Sequence, residues 1–133
     1  MRYAPIYAWD SLRKEWAVIG VIATSSQGAR LRIMHAHPLV RQSASLSAME
    51  LHNEDLAQGE VSYYGDIEPG MTGSSVQRLK TTDPNFIEKY GEAMAIEGKW
   101  LRLGKVQKQR GANIEKALPG LLTQIFRAER MRN

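Results

Sequence analysis

The chain's 133 residues carry a formal net charge of +4 at pH 7 and include no cysteine, which excludes a disulfide framework and a thiolate metal site. The length suits one ordinary domain with a core of its own, and residues 1–133 are read as a single domain. No apolar run approaches the roughly 20 residues of a membrane helix, and the opening lacks the apolar core of a secretory signal, so a cytoplasmic protein that engages no membrane is expected.

Tyr3, Pro5, Tyr7 and Trp9 alternate with Ala4, Ile6 and Ala8. This is an aromatic-rich strand pattern in which Pro5 favours an edge position or the start of a strand. Residues 10–14 read as a hairpin loop. Residues 15–24 are apolar on both alternating faces and rich in β-branched side chains, as in a strand buried on both sides. The turn Ser25-Ser26-Gln27-Gly28 leads into a run with Leu31, Ile33, His35 and His37 on one face and Arg30 and Arg32 on the other. The first 37 residues thus read as a three-stranded antiparallel meander. Its central strand asks for cover on both faces, from a second helix layer or a dimer partner. Gly20, in mid-strand where glycine weakens pairing, signals the close approach of another element, expected to be the helix at 114–126.

Tyr7, Asp10, Arg13, Glu15, Trp16, Ile19, Gly20, Val21 and Ile22 stand, without a gap, at spacings that resemble the opening of an uncharacterised bacterial domain-of-unknown-function family. The chain departs from that pattern at Trp9, where the family usually has Pro, and at Val18, where it usually has Asn. The resemblance implies similarity of fold over this hairpin and carries no activity with it.

Pro38 ends the sheet stretch. Residues 43–58 read as a helix, with Ser47 and Glu50 at capping-box spacing, Leu46, Met49 and Leu56 as a narrow apolar stripe, and Gly59 as the stop. Residues 60–64 read as a short strand, 65–75 as a turn-rich loop, and 76–81 as either a strand or a helical turn. Thr82 or Asp83 caps a helix that opens at Pro84 and exits at Gly98, with Phe86, Tyr90, Ala93, Met94 and Glu97 on one face. Residues 99–106 read as a last strand and 107–112 as a polar, basic connector. Ile114, Ala117, Leu118, Leu121, Leu122, Ile125 and Phe126 recur at helical spacing. Either Asn113 caps a helix kinked at Pro119, or the helix begins near Pro119. The expected class is α+β, an antiparallel sheet of four to five strands with helices packed mainly on one face.

Charge is unevenly spread. Residues 99–133 hold nine Lys/Arg and two Asp/Glu, residues 43–98 three and ten, and residues 1–42 six and two. Clustered cations neutralise phosphates, and an exposed aromatic stacks on a base. Lys99, Arg102, Lys105, Lys108, Arg110, Lys116, Arg127 and Arg130, followed by Arg132 and interleaved with Trp100, are therefore the candidate contacts to a polyanion. On this reading the chain is a small, basic, non-enzymatic binding module with no cofactor. Its partner is nucleic acid or an acidic protein, and an accessory role on a mobile element is one setting for it. The competing explanation of the charge is mutual neutralisation of the acidic middle and the basic ends, within the fold or across a homodimer. The competing explanation of Trp100 is a core position, the commoner fate of a large apolar side chain.

A second function class is a small metal-dependent hydrolase or nuclease. His35, His37 and His52 fall close together in the chain. A His-x-His pair on one strand face offers two nitrogens to a metal, and His52 with Glu54 or Asp55 would complete the site. The same imidazoles can serve as acid and base in metal-independent RNA cleavage. Against this stands ordinary packing of a face that also holds Leu31 and Ile33. Glu97-Gly98-Lys99, with Asp66 or Asp83 upstream, has the outline of a nuclease Mg²⁺ site, but Gly98 is better explained as a helix stop. Thr72, Ser74 and Ser75 lack a partnered base, and the glycines at 65, 70 and 73 lack phosphate-loop spacing.

Overall fold

β1 (Arg2–Asp10), β2 (Glu15–Ser25) and β3 (Gly28–Ile33) form the expected antiparallel meander. Asp10 closes the first turn, its Oδ1 accepting from the N–H groups of Leu12 and Arg13 at 3.0 and 3.1 Å, the local bonding that makes Asp a turn residue. The computed structural model describes residues 1–66, 74–97, 100–111 and 113–131, with backbone alone for 63–66, 74–76, 94–97, 130 and 131.

The main sheet has the order β3-β2-β1-β6, with β6 (Leu101–Leu103) and β7 (Gln107–Lys108) both paired to β1. Pro5 therefore lies in an interior strand, contrary to the edge position its chemistry suggests. The reason is local. The Pro5 carbonyl accepts from Gly104 N–H at 2.8 Å on the β6 side, and its nitrogen faces the same side without a hydrogen to give. The neighbouring edge breaks there, with β6 on one side of Pro5 and β7 on the other. Residues 107 and 108, expected in a polar, basic connector, are thereby a short strand pinned to β1.

β2 carries a bulge. Ile6 pairs with Gly20 but Tyr7 pairs with Val18, so Ile19 is the extra residue. A one-residue slip exchanges the faces of everything beyond it. Ile22 and Ile19 face the larger core together with Ala4, Ile6, Ala8, Leu31 and Ile33, while Trp16 comes opposite Trp9 on the other side of the sheet. Gly20 is hemmed in as expected, but not by a distant helix. A Cβ there would stand 2.5 Å from the Arg32 carbonyl oxygen and 2.8 Å from Ile33 Cδ1, so the close neighbour is β3.

The larger core is closed by α1 (Pro38–Arg41), α2 (Ala44–Ser47), a 3₁₀ turn (Met49–His52), α3 (Asn53–Ala57) and α4 (Phe86–Glu97). β4 (Glu60–Asp66) and β5 (Ser74–Lys80) make a separate two-stranded sheet beside them. Ser74 and Ser75 thus belong to a strand, the 76–81 stretch is strand as far as Lys80, and residues 67–73 of the expected loop lie outside the described residues. The helix expected over 43–58 is broken because its polar residues work elsewhere. Ser43, not Ser47, caps α2 by accepting from Leu46 N–H at 3.2 Å, and Ser47 donates to the Val40 carbonyl at 2.8 Å. Glu50 Oε1 accepts from Ile33 N–H at 2.8 Å, and Asn53 both accepts from Leu31 N–H at 2.8 Å and donates to the Leu31 carbonyl at 2.9 Å. β3 is an outer strand, and these two side chains stand in for a further strand along its open edge.

α5 (Ile114–Met131) covers the opposite face, packing Ile114, Leu118 and Leu121 on Tyr3, Val21 and Ala23. Asn113 caps it, its Oδ1 accepting from Lys116 N–H at 3.1 Å, and Pro119 lies inside it. The shorter helices therefore occupy one face and one long helix the other. The cover that β2 requires comes from α5, without calling on a second copy of the chain. No helix among the described residues is long and apolar enough to cross a membrane.

Candidate nucleic-acid interface

The basic third of the chain forms the β6–β7 edge and α5. Arg102 sits in β6 opposite Tyr7. Its guanidinium carbon lies 4.3 Å from the Trp16 ring centre and 5.5 Å from that of Tyr7, within the range of cation–π attraction. Gly104 follows, so close over β1 that a Cβ would stand 2.6 Å from Pro5 Cγ and 2.7 Å from Tyr7 Cε2. Beyond it Lys105, Lys108 and Arg110 are exposed on an edge that is stitched to the N-terminus. Gln109 N–H donates to the Met1 carbonyl at 2.8 Å, and the Met1 ammonium donates to the Gln109 carbonyl at 3.0 Å.

Between this edge and the C-terminal half of α5 runs a groove of about 510 Å³, lined among others by Tyr3, Tyr7, Arg102, Lys105, Gln124 and Glu129. Tyr7 donates its hydroxyl to Glu129 Oε1 at 3.0 Å, and Tyr3 donates to Gln107 Oε1 at 3.2 Å, so the groove wall is hydrogen-bonded as well as apolar. Arg127 is exposed on α5 beside Gln124 and Ala128, which also line the groove. Lys116 is exposed in the first turn of α5, away from this cluster along the helix. Lys99 and Arg132 lie outside the described residues, as does the side chain of Arg130.

Trp100, which residue type alone would put in a core, is 39% exposed, as is Trp9. Trp9 N–H donates to the Trp100 carbonyl at 2.8 Å. Trp9 and Trp16 meet edge to face, their ring centres 5.5 Å apart and their planes at 65°.

No protein-family model, curated protein or solved structure matches this chain. The candidate site is therefore defined by its own geometry.

Among the described residues the acidic middle forms no ion pair with this surface. The Lys/Arg ion pairs of the described residues are Arg2–Glu88 at 2.8 Å, Arg30–Glu115, Arg78–Glu60 at 3.6 Å and Lys89–Asp83 at 2.7 Å. None of them takes a cation from Lys105, Lys108, Arg110, Lys116 or Arg127.

The three histidines are drawn apart. β3 ends at Ile33, so His35 and His37 lie in the following turn and not on the expected strand face. His35 Nε2 lies 3.2 Å from Glu50 Oε2. His37 Nδ1 accepts from Leu39 N–H at 3.1 Å as the cap of α1. His52 Nδ1 lies 3.0 Å from the Tyr90 hydroxyl, against α4. Among the described residues no three His, Asp or Glu side chains gather as a metal-holding group. Asp83 serves the entry to α4, accepting from Asn85 N–H at 2.8 Å and from Lys89. The hydrogen bonds from Lys89 and Asn85 hold its carboxyl below the ordinary range. Glu97's side chain, Gly98 and Lys99 lie outside the described residues.

Proposed function

We propose that this chain is a non-enzymatic module that binds nucleic acid through its basic C-terminal third, in a cytoplasmic setting. The observation that carries this reading is the set Lys105, Lys108, Arg110, Lys116 and Arg127, exposed and outside every ion pair of the described residues. Three of them stand on an edge strand and its continuation, where backbone bonds to Met1 and β1 hold them in place. Cations that a fold leaves without partners have their hydration and counterions to exchange for phosphates. Lysines on an open edge also discourage edge-to-edge pairing, which agrees with the same exposure and does not compete with it.

The test is fluorescence anisotropy of labelled single- and double-stranded oligonucleotides over a range of salt. Affinity should fall linearly with salt on logarithmic axes, by about 0.7 to 0.9 per phosphate neutralised. Replacing Lys105, Lys108 and Arg110 together by Ser should lower that slope by about two to three and weaken binding uniformly across sequences. If the wild-type chain binds neither DNA nor RNA at low salt, the nucleic-acid reading fails, and an acidic protein is the partner left for these cations.

A further inference from the structure

We propose that the sheet end bearing Trp9, Trp16 and Trp100, with Arg102 and Lys105 beside it, is a stacking platform for unpaired bases, so that the ligand is single-stranded nucleic acid; this rests on the reading of the basic third as a nucleic-acid face. The chain's three tryptophans all stand at this end. Among the described residues only four large apolar side chains are exposed, and three of them, Trp9, Leu12 and Trp100, belong to it. α5 covers the same face over Tyr3, Val21 and Ala23 and reaches β1 at Tyr7 through Glu129. Trp9 stands two residues further along β1 on that side, bonded through its backbone to Trp100.

Each component has a distinct chemical use. The exposed indoles of Trp9 and Trp100 offer aromatic surface to bases, and stacking tolerates any base because every base has a π-face. Arg102 is held between the rings of Trp16 and Tyr7. A stacked guanidinium is oriented in advance and keeps its N–H edge for a phosphate. The groove below continues from Arg102 past Lys105, a path for the backbone of a strand whose bases rest on the platform. A duplex gains little from such a surface, because its base faces are already stacked on one another. The exposed indoles therefore select for the single strand where the lysines alone would not.

The experiment titrates the full-length chain, following tryptophan emission and anisotropy, with an oligothymidylate of about 12 nucleotides, a length that small single-strand binders cover. Controls are a blunt duplex of the same length, heparin, and vesicles of phosphatidylcholine and phosphatidylserine. Quenching by the single strand, with affinity about tenfold or more above the duplex, is the expected result. Trp100→Ala should weaken single-strand binding by about five- to hundredfold while leaving heparin binding unchanged, and Trp100→Phe should restore most of the loss. Trp9→Phe should likewise be mild. If Trp100→Ala fails to fold, wild-type quenching and the Phe variant decide. Equal affinity for duplex and single strand, or single-strand binding unaffected by Trp100→Ala yet lost in the Lys105, Lys108 and Arg110 triple-Ser variant, overturns the platform and leaves the basic face standing. Quenching by vesicles and not by oligothymidylate overturns it in favour of a lipid surface. Absence of binding to single strand and duplex alike at low salt overturns both readings together, whether or not heparin binds.

Discussion

Arg102 holds its guanidinium carbon 4.3 Å above the Trp16 ring, with Tyr7 on a second side at 5.5 Å. An exposed cation–π contact contributes about 0.5–1 kcal/mol, and the arginine stem adds apolar cover. Arg102→Ala should lower the urea midpoint by an amount of that order. Arg102→Lys should fall between the two, keeping the charge but not the flat stacking. Far-UV circular dichroism reads all three, and coincident midpoints would contradict a stabilising contact.

Gly20 and Gly120 should respond oppositely to the same added methyl group. At Gly20 a Cβ meets the Arg32 carbonyl oxygen at 2.5 Å, a backbone atom that cannot step aside. Gly20→Ala should cost about 1–3 kcal/mol through overpacking. At Gly120, exposed in α5, a Cβ meets nothing within 4 Å, so Gly120→Ala should gain about 0.5–1 kcal/mol from helix propensity. Thermal unfolding of the two variants checks the contrast.

Asn53 answers both backbone groups of Leu31 on the open edge of β3. Asn53→Ala should destabilise by about 1–3 kcal/mol by leaving partly buried groups unmet. Asn53→Asp, which keeps the acceptor but sets a carboxylate oxygen against the Leu31 carbonyl, should not restore the loss. The uncovered edge should also promote pairing between chains, so sedimentation should report more self-association of the Ala variant than of the wild type.

Acid should weaken the fold in two steps. Burial holds His37 below its ordinary 6.5, with nearby Asp10 opposing and Arg13 adding to the effect, and the bond from Leu39 N–H requires a bare nitrogen. Burial pushes Glu50 upward, but hydrogen bonds from Ile33 N–H and His35 outweigh it and hold the carboxyl below its ordinary 4.5. Both groups bind fewer protons folded than unfolded, so stability rises with pH through their ranges. The His37 contribution is complete above pH 6.5 and lost as pH falls through its lowered value; that of Glu50 is complete above pH 4.5 and lost below it. Melting temperature followed from neutral to acid should therefore decline twice. His37→Asn, which keeps a capping acceptor, should remove the upper step, and Glu50→Gln should reduce the lower one.

The meander and α5 are legible in periodicity, because strand alternation and helical recurrence are properties of neighbouring residues. Tyr3 to Ala8 alternate across β1, residues 15–24 are apolar on both faces of β2, and Ile114 to Ile125 line one side of α5. The uneven charge was equally plain, since it requires only counting. Glu50 and Asn53 read from sequence as parts of one helix because their partners, Ile33 and Leu31, are 17 and 22 residues away. His35 and His37 left the strand face because pairing stops at Ile33.

The class of fold, the double burial of β2 and the basic third follow from composition and spacing alone, for each is settled by local preference or by addition. The candidate platform does not. A single extra residue at Ile19 turns Trp16 to the side of Trp9, Pro5 splits the neighbouring edge so that Gly104 can lie over Tyr7, and Arg102 finds its two rings only through pairing across 95 residues of chain. Register between strands distant in sequence is a collective outcome of packing and hydrogen bonding, and no short stretch of residues encodes it.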